Sequence, residues 1–273
     1  MKIGKQEFKP ERMEVMGILN VTPDSFSDGG KFNTLEAAVA QADRMIEEGA
    51  AIIDVGGEST RPGFAYVTAE EEMKRVLPVI EAIRAKYPEI LISIDTYKAV
   101  TAEAAIKAGA DIINDVWGFK KDPEIAKVAA KYDVACVLMH NREVAEYNDF
   151  MEDVLKDLQE SIDIALAAGV KKERIIVDPG VGFAKNYEQN LEVTREVGRL
   201  KELGYPVLLA TSRKSMIGLT LDEDKDHRLE GTIATTCVGV MAGCEFVRVH
   251  DVKENLRAIR MMEAIRDGKK GDR

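Results

Sequence analysis

Eight short runs of apolar and β-branched residues recur along the chain, at 15–19, 52–55, 91–94, 112–113, 134–138, 175–177, 207–210 and 246–249. The longer segments between them repeat apolar residues at the helical period, as in Leu35, Ala38, Val39, Ala42, Met45 and Ile46, or Leu155, Leu158, Ile162, Ala165 and Leu166. Strands that alternate with amphipathic helices pair in parallel through crossovers, so each helix lays one apolar stripe on a shared sheet. Spread over 273 residues, eight such units have about 34 residues each, the size of one βα unit of a barrel. An open doubly wound sheet alternates in the same way, but it usually opens with a glycine fingerprint at its first turn. Neither GxGxxG nor a Walker loop occurs here. The pattern predicts an α/β chain folded as a (β/α)8 TIM barrel, a single domain over residues 1–273.

The ends of the helices agree with this division. Asn33 with Glu36 and Thr68 with Glu71 have capping-box spacing, and Asp122 before Pro123 forms a cap followed by a first-turn proline. Gly49, Gly109, Gly169, Gly204 and Gly243 stand where a left-handed residue would stop each helix before the next strand.

Composition narrows the class of protein. A hydrophobic share of 45% suffices for one large core, and no shift in composition marks a second. The net charge of -10 opposes non-specific binding to nucleic acid or to an anionic membrane. No apolar run approaches the roughly 20 residues of a membrane span, and the amino terminus lacks a signal-peptide pattern, so a cytoplasmic protein is expected. Cys136, Cys237 and Cys244 form no CxxC, which favours reduced thiols over a zinc site or a disulfide framework.

A barrel presents its active site at the C-terminal ends of the strands. Those positions here hold Asn20, Asp54 leading to Glu58, Asp95, Asn114, His140, Asp178, Arg213 and Lys214 within 212–215, and Arg248 with His250. Asp95, Asn114 and Asp178 follow directly on apolar strands, where an unpaired carboxylate is costly to bury. A ligand with ring N–H and amino groups would satisfy them, and with Lys214 they could read the edge of a heteroaromatic ring. Serving as helix N-caps is the alternative for each. Arg248 and His250 alternate on the last strand, so both face one way, and a helix starting near Val252 would aim its N-terminal dipole at the same place. That describes an anion site, unless Arg248 pairs with a neighbouring acid. Two glycine-rich segments, 20–33 and 56–68, are placed to bind or cover substrate, with plain connection as the alternative.

The segments MGILNVTPDSFSDGG, GAAIIDVGGESTRPG, SIDTYKA, GADIINDVWG, IIVDPGVGFAK, TSRKSMIG and RLEGTIATTCVGVMAGCEFVRVHDV together resemble dihydropteroate synthase, in that family's order and across nearly the whole chain. The resemblance implies a barrel that condenses 6-hydroxymethyl-7,8-dihydropterin diphosphate with p-aminobenzoate, releasing diphosphate in folate biosynthesis with the help of Mg2+. It implies that Asp95, Asn114, Asp178 and Lys214 read the pterin. Asn20 would hold the metal, and Arg248 and His250 would hold the diphosphate. Thr60, Arg61, Pro62, Phe183 and Ser215 would surround p-aminobenzoate and the diphosphate, with Asp24 and Phe26 on the first loop; Asp95, Lys214, Arg248 and His250 would carry the catalysis. A homodimer formed through helices away from the mouth is implied as well. A methyltetrahydrofolate-type pterin-binding methyltransferase and a non-catalytic pterin-binding paralogue share the ring contacts, and a Schiff base on Lys214 is a third possibility. The segment HNREVAEYNDFMEDV carries no sharp motif, so His140 is the weakest candidate.

Overall fold

A two-stranded antiparallel hairpin, β1 (Lys2–Ile3) and β2 (Gln6–Glu7), precedes the first apolar run. The runs then form β3 (Glu14–Asn20), β4 (Ile52–Gly56), β5 (Leu91–Asp95), β6 (Ile112–Asp115), β7 (Ala135–Met139), β8 (Ile175–Asp178), β9 (Leu208–Leu209) and β10 (Phe246–Val249). Four of these strands, β3, β5, β6 and β8, extend past their apolar core to include a polar residue that ends it. The computed structural model describes residues 1–4, 6–9, 11–22, 31–58 and 66–269, leaving aside the side chains of residues 2 and 31–34.

The eight strands pair in parallel in the order β8-β7-β6-β5-β4-β3-β10-β9. A parallel bridge between Val177 and Val207 joins the two edges, backed by the Val177 amide donating to Pro206 O at 2.9 Å. Closure removes the exposed edges of an open sheet and makes this a TIM barrel. Helices α1 (Lys31–Glu48), α2 (Ala69–Lys86), α3 (Ala99–Ala108), α4 (Glu124–Tyr132), α5 (Phe150–Ala167), α6 (Tyr187–Arg195), α7 (Ser215–Leu221), α8 (Leu229–Ala242) and α9 (Val252–Asp267) surround it.

Alternation along the strands sorts the side chains into two layers. Val15, Leu19, Ile53, Val55, Ile92, Ile94, Cys136 and Leu138 face the helices and belong to the larger core. Met16, Ile52, Leu91, Ile112, Ala135, Ile176 and Phe246 fill the barrel interior at its N-terminal end. Ile3 and Phe8 close that end, with Phe8 edge-on to Phe246 at 5.3 Å between ring centroids. The bottom of the barrel is thus plugged by apolar packing, and polar inward residues are confined to the opposite end.

The helix signals hold with one exception. Thr68 caps α2 by accepting the Glu71 amide, and Gly109 ends α3 at φ 120°; Gly49, Gly169, Gly204 and Gly243 also carry positive φ. Asp122 accepts the amides of both Glu124 and Ala99, and so serves the starts of two neighbouring helices. Asn33 is the exception, since α1 already begins at Lys31. A cap is worth only about 1 kcal/mol, less than the packing that decides where an amphipathic helix docks.

Candidate active site

Strand register assembles the site. Asn20 on β3 stands beside Gly56 on β4, Gly56 beside Asp95 on β5, and Asp95 beside Asn114 on β6. These residues share the inward face, so four neighbouring strands present a polar row above the apolar plug. A slip of one residue would turn each strand's contribution outward. Gly56 keeps the row open, because a Cβ there would lie 3.7 Å from Asp95 Oδ2 and 3.8 Å from Asn20 Oδ1.

Arg248 is the hub of the row. Its Nε donates to Asp54 Oδ2 at 2.6 Å, its NH2 donates to Asp95 Oδ2 at 2.7 Å, and Asn114 Nδ2 donates to Asp54 Oδ2 at 3.2 Å. One guanidinium therefore serves two buried carboxylates, which leaves an excess negative charge inside the barrel. Burial pushes the Asp95 carboxyl up to about 7 against the pull of Arg248, and the Asp54, Glu72 and Asp115 charges add to the rise. Asp54 Oδ1, Asp95 Oδ1 and Ser93 Oγ are buried and accept or donate no hydrogen bond among the described residues. Orphaned polar atoms in a folded core cost about 1–3 kcal/mol each, and three on adjacent inward levels of β4 and β5 mark a surface built for a polar ligand.

A second group stands at the end of β8. Asp178 Oδ1 accepts the Gly180 amide at 2.7 Å, and burial pushes its carboxyl up to about 6 while that amide and the Lys214 charge hold it back. Lys214 Nζ lies 4.3 Å from the centroid of the Phe183 ring, a cation–π contact. His250 is oriented by Ser212, whose Oγ lies 2.9 Å from Nδ1 and accepts the His250 amide at 3.2 Å. Arg213 turns away to Asp251, with NH2 2.7 Å from Oδ1.

The pterin binding enzyme family matches residues 16–250. A dihydropteroate synthase of Clostridium beijerinckii is 61% identical over 267 residues, covering 97% of this chain and 99% of its own. The chain belongs to the dihydropteroate synthase family. Among solved structures, the dihydropteroate synthase of Clostridium difficile in the presence of pteroic acid superposes with a TM-score of 0.92 at 54% identity, covering 95% of this chain and 98% of its own. The Xanthomonas albilineans dihydropteroate synthase in complex with 7,8-dihydropteroate superposes with a TM-score of 0.87 at 42% identity, covering 94% of this chain and 95% of its own. The protein is accordingly a transferase of folate biosynthesis.

In this member of the family the fold brings Asn20, Asp95, Asn114 and Arg248 onto one inward surface, with Asp178, Lys214 and Phe183 grouped at the end of β8. Ser215 is the exposed first residue of α7. Thr60, Arg61 and Pro62, with Asp24 and Phe26, lie outside the described residues. Besides Arg213, two strand-end candidates go elsewhere. His140 is only 2% exposed, and its ring is bonded on both sides, to Asp157 and to Lys185. Glu58 accepts from the Val67 amide at 3.0 Å and from Tyr97 Oη at 3.2 Å, and it pairs with Lys98.

Lys98 escaped the sequence reading. Its ammonium is buried between Glu58 and Glu72, at 3.1 Å from Glu72 Oε2, and Thr101 Oγ1 donates to the same oxygen at 2.8 Å. A lysine just before the start of a helix reads as a solvated charge, and only the fold places two acids around it. Replacing Lys98 by Met strands both carboxylates, so it is expected to destabilise the protein by about 3–5 kcal/mol. Urea unfolding of the variant measures this, and a change below about 1 kcal/mol would show that the pair contributes no more than a surface bridge.

Proposed function

We propose that the polar mouth of this barrel joins 6-hydroxymethyl-7,8-dihydropterin diphosphate to p-aminobenzoate, with all 273 residues acting as one pterin-binding domain. Asp95, Asn114, Asp178 and Lys214 read the pterin. The observation that carries this reading is the pair of buried oxygens, Asp54 Oδ1 and Asp95 Oδ1, that have no hydrogen-bond partner among the described residues and lie in a region with excess negative charge. An amino- and N–H-bearing ring supplies the donors they lack, and a ring that gains positive charge during reaction is stabilised there most.

The attacking arylamine is neutral at pH 7 and needs no strong base. What the protein must favour is departure of diphosphate, by placing Arg248 and His250 toward the developing charge and Asp95 toward the pterin. Thr60, Arg61, Pro62, Phe183 and Ser215 surround p-aminobenzoate and the leaving group. Among the described residues no group of three His, Cys, Asp or Glu side chains could hold a metal ion. Mg2+ binds through few protein ligands when phosphates complete its shell, so the Asn20 amide oxygen beside the open Gly56 fits an ion that arrives with the diphosphate. When bound, that ion supplies charge to stabilise the leaving group.

The enzyme is proposed to act in the cytoplasm as a homodimer, with no nucleic acid or membrane partner. Buried, unpaired Cys136 and Cys244 suit a reducing compartment. Leu219, Leu221, Val238 and Met241 are exposed on α7 and α8, with Leu219 68% and Met241 54% accessible, and they offer an apolar face to a second copy.

Diphosphate release tests the reaction. Release is expected only when p-aminobenzoate and Mg2+ are both present, with dihydropteroate formed in equal amount. Pterin binding without release would favour a non-catalytic paralogue, and methyl transfer to a corrinoid partner would favour the methyltransferase.

A further inference from the structure

The loop after β8 contains three left-handed residues in five positions, since Gly180, Gly182 and Ala184 have φ of 68°, 84° and 46°. Alanine crowds its Cβ against the backbone in that region, so contacts from outside the loop must impose the conformation. Those contacts grip its carbonyls. Lys185 Nζ donates to Gly180 O at 3.0 Å and to Phe183 O at 3.1 Å, and Tyr147 Oη donates to Ala184 O at 2.7 Å. The loop also approaches the end of β7 so closely that a Cβ on Gly180 would lie 1.9 Å from His140 O.

The third direction of the Lys185 ammonium is set by His140, whose Nδ1 lies 2.7 Å from Nζ. An ammonium can only donate, so Nδ1 accepts, and the imidazole proton must sit on Nε2, 3.0 Å from the Asp157 carboxylate. Burial lowers His140 to about 4, which keeps the ring neutral and able to accept. Asp157 is in turn held by Arg142, with NH2 3.2 Å from Oδ1, and the Arg142 guanidinium lies 4.3 Å from the centroid of Tyr147. The contacts form a closed circuit, from Lys185 through His140, Asp157, Arg142 and Tyr147 back to the loop at Ala184.

We propose that Lys185, with neutral His140 as its acceptor, is a positioning residue of the reaction: it locks the backbone around Phe183 so that this ring stays against Lys214, beside Asp178, and shapes the p-aminobenzoate side of the site. The role rests on the assignment of Phe183 and Lys214 under the proposed function. Lys185 acts through the carbonyls it grips. His140, a weak substrate contact on sequence alone, becomes the support behind the loop.

Lys185→Met keeps the apolar stem and removes the charge, and is expected to raise KM for p-aminobenzoate about tenfold with kcat within about threefold and plain dihydropterin affinity within about twofold. The double variant with His140→Ala is expected to be no worse than Lys185→Met alone, because the two residues act as one unit. A KM within about twofold of the wild type, or an equal loss of pterin affinity, would overturn the role.

If circular dichroism shows that Lys185→Met does not fold, the wild-type protein answers the same question. Burial lowers the Lys185 ammonium to about 7, with Lys214 and Arg142 adding to the fall and Asp178 and Asp157 opposing it. The ammonium is charged below that value and discharged above it. KM for p-aminobenzoate at saturating pterin substrate should therefore rise about tenfold between about pH 6 and 9, and a flat profile overturns the proposal. An inactive wild type would overturn the proposed function and this role together. An active wild type with unaltered Lys185→Met would overturn the role of Lys185 alone.

Discussion

Asp95→Asn should lower kcat by about 100- to 1,000-fold, a loss of about 3–4 kcal/mol of transition-state stabilisation, while weakening pterin binding less than about tenfold. The amide matches the carboxyl in shape and can still meet one donor of the ring. It cannot supply the negative charge that matters once the C–O bond to diphosphate begins to break and the pterin becomes positive. Burial holds the Asp95 carboxyl up at about 7 in the free protein, so the ionised form is lost as pH falls through that value. The profile of kcat/KM for the pterin substrate should therefore fall on the acid side of about pH 7 in the wild type. In Asp95→Asn that limb should vanish, leaving the one that belongs to Asp178, raised to about 6. Steady-state kinetics over pH together with calorimetric binding of a plain pterin separates the two effects. Equal losses in binding and turnover would assign Asp95 to ground-state recognition only.

Arg248→Ala should damage more than diphosphate capture. From the sequence, Arg248 beside His250 reads as an anion ligand whose loss spares a plain pterin. In the folded protein its guanidinium bonds Asp54 at 2.6 Å and Asp95 at 2.7 Å. Removing the cation leaves two carboxylates facing each other in a dry layer, a change that costs about 3–5 kcal/mol or on the order of 10 °C in Tm. The Asp95 carboxyl, already raised by burial, then resists ionisation further without the Arg248 charge, and the acceptor proposed to meet the pterin is weakened with it. Plain-pterin affinity is expected to fall at least about tenfold along with the thermal midpoint. A variant that melts like the wild type, binds a plain pterin normally and loses only the diphosphate substrate would return Arg248 to the simpler role.

These expectations show how unevenly the site could be read in advance. The placement of Asp95, Asn114 and Asp178 at inward strand ends was legible because a polar residue closing an apolar strand is a local signal, and the barrel directs every such end to one face. Asp54 was less visible as a core element of the site. It lies within a strand flanked by apolar residues, and its importance comes from Arg248, 194 positions away. Lys98 and Lys185 gave no local signal at all, since each sits where a surface lysine would be ordinary. His140 gave a misleading one, because a polar residue after β7 looks like the others until its ring is seen packed behind the β8 loop.

By itself the sequence determined the barrel. Short apolar runs, the 3.6-residue pattern, caps and helix-ending glycines are short-range properties, and eight of these units closing on themselves bury their apolar faces in one architecture. Tertiary structure alone decided which charges meet. Register set Asn20, Gly56, Asp95 and Asn114 side by side, closure carried β10 back against β3, and Arg248 thereby came between two acids from β4 and β5. Electrostatic partnership depends on separations of a few ångströms across a low-dielectric interior, and positions distant along the chain acquire such separations only when the barrel closes.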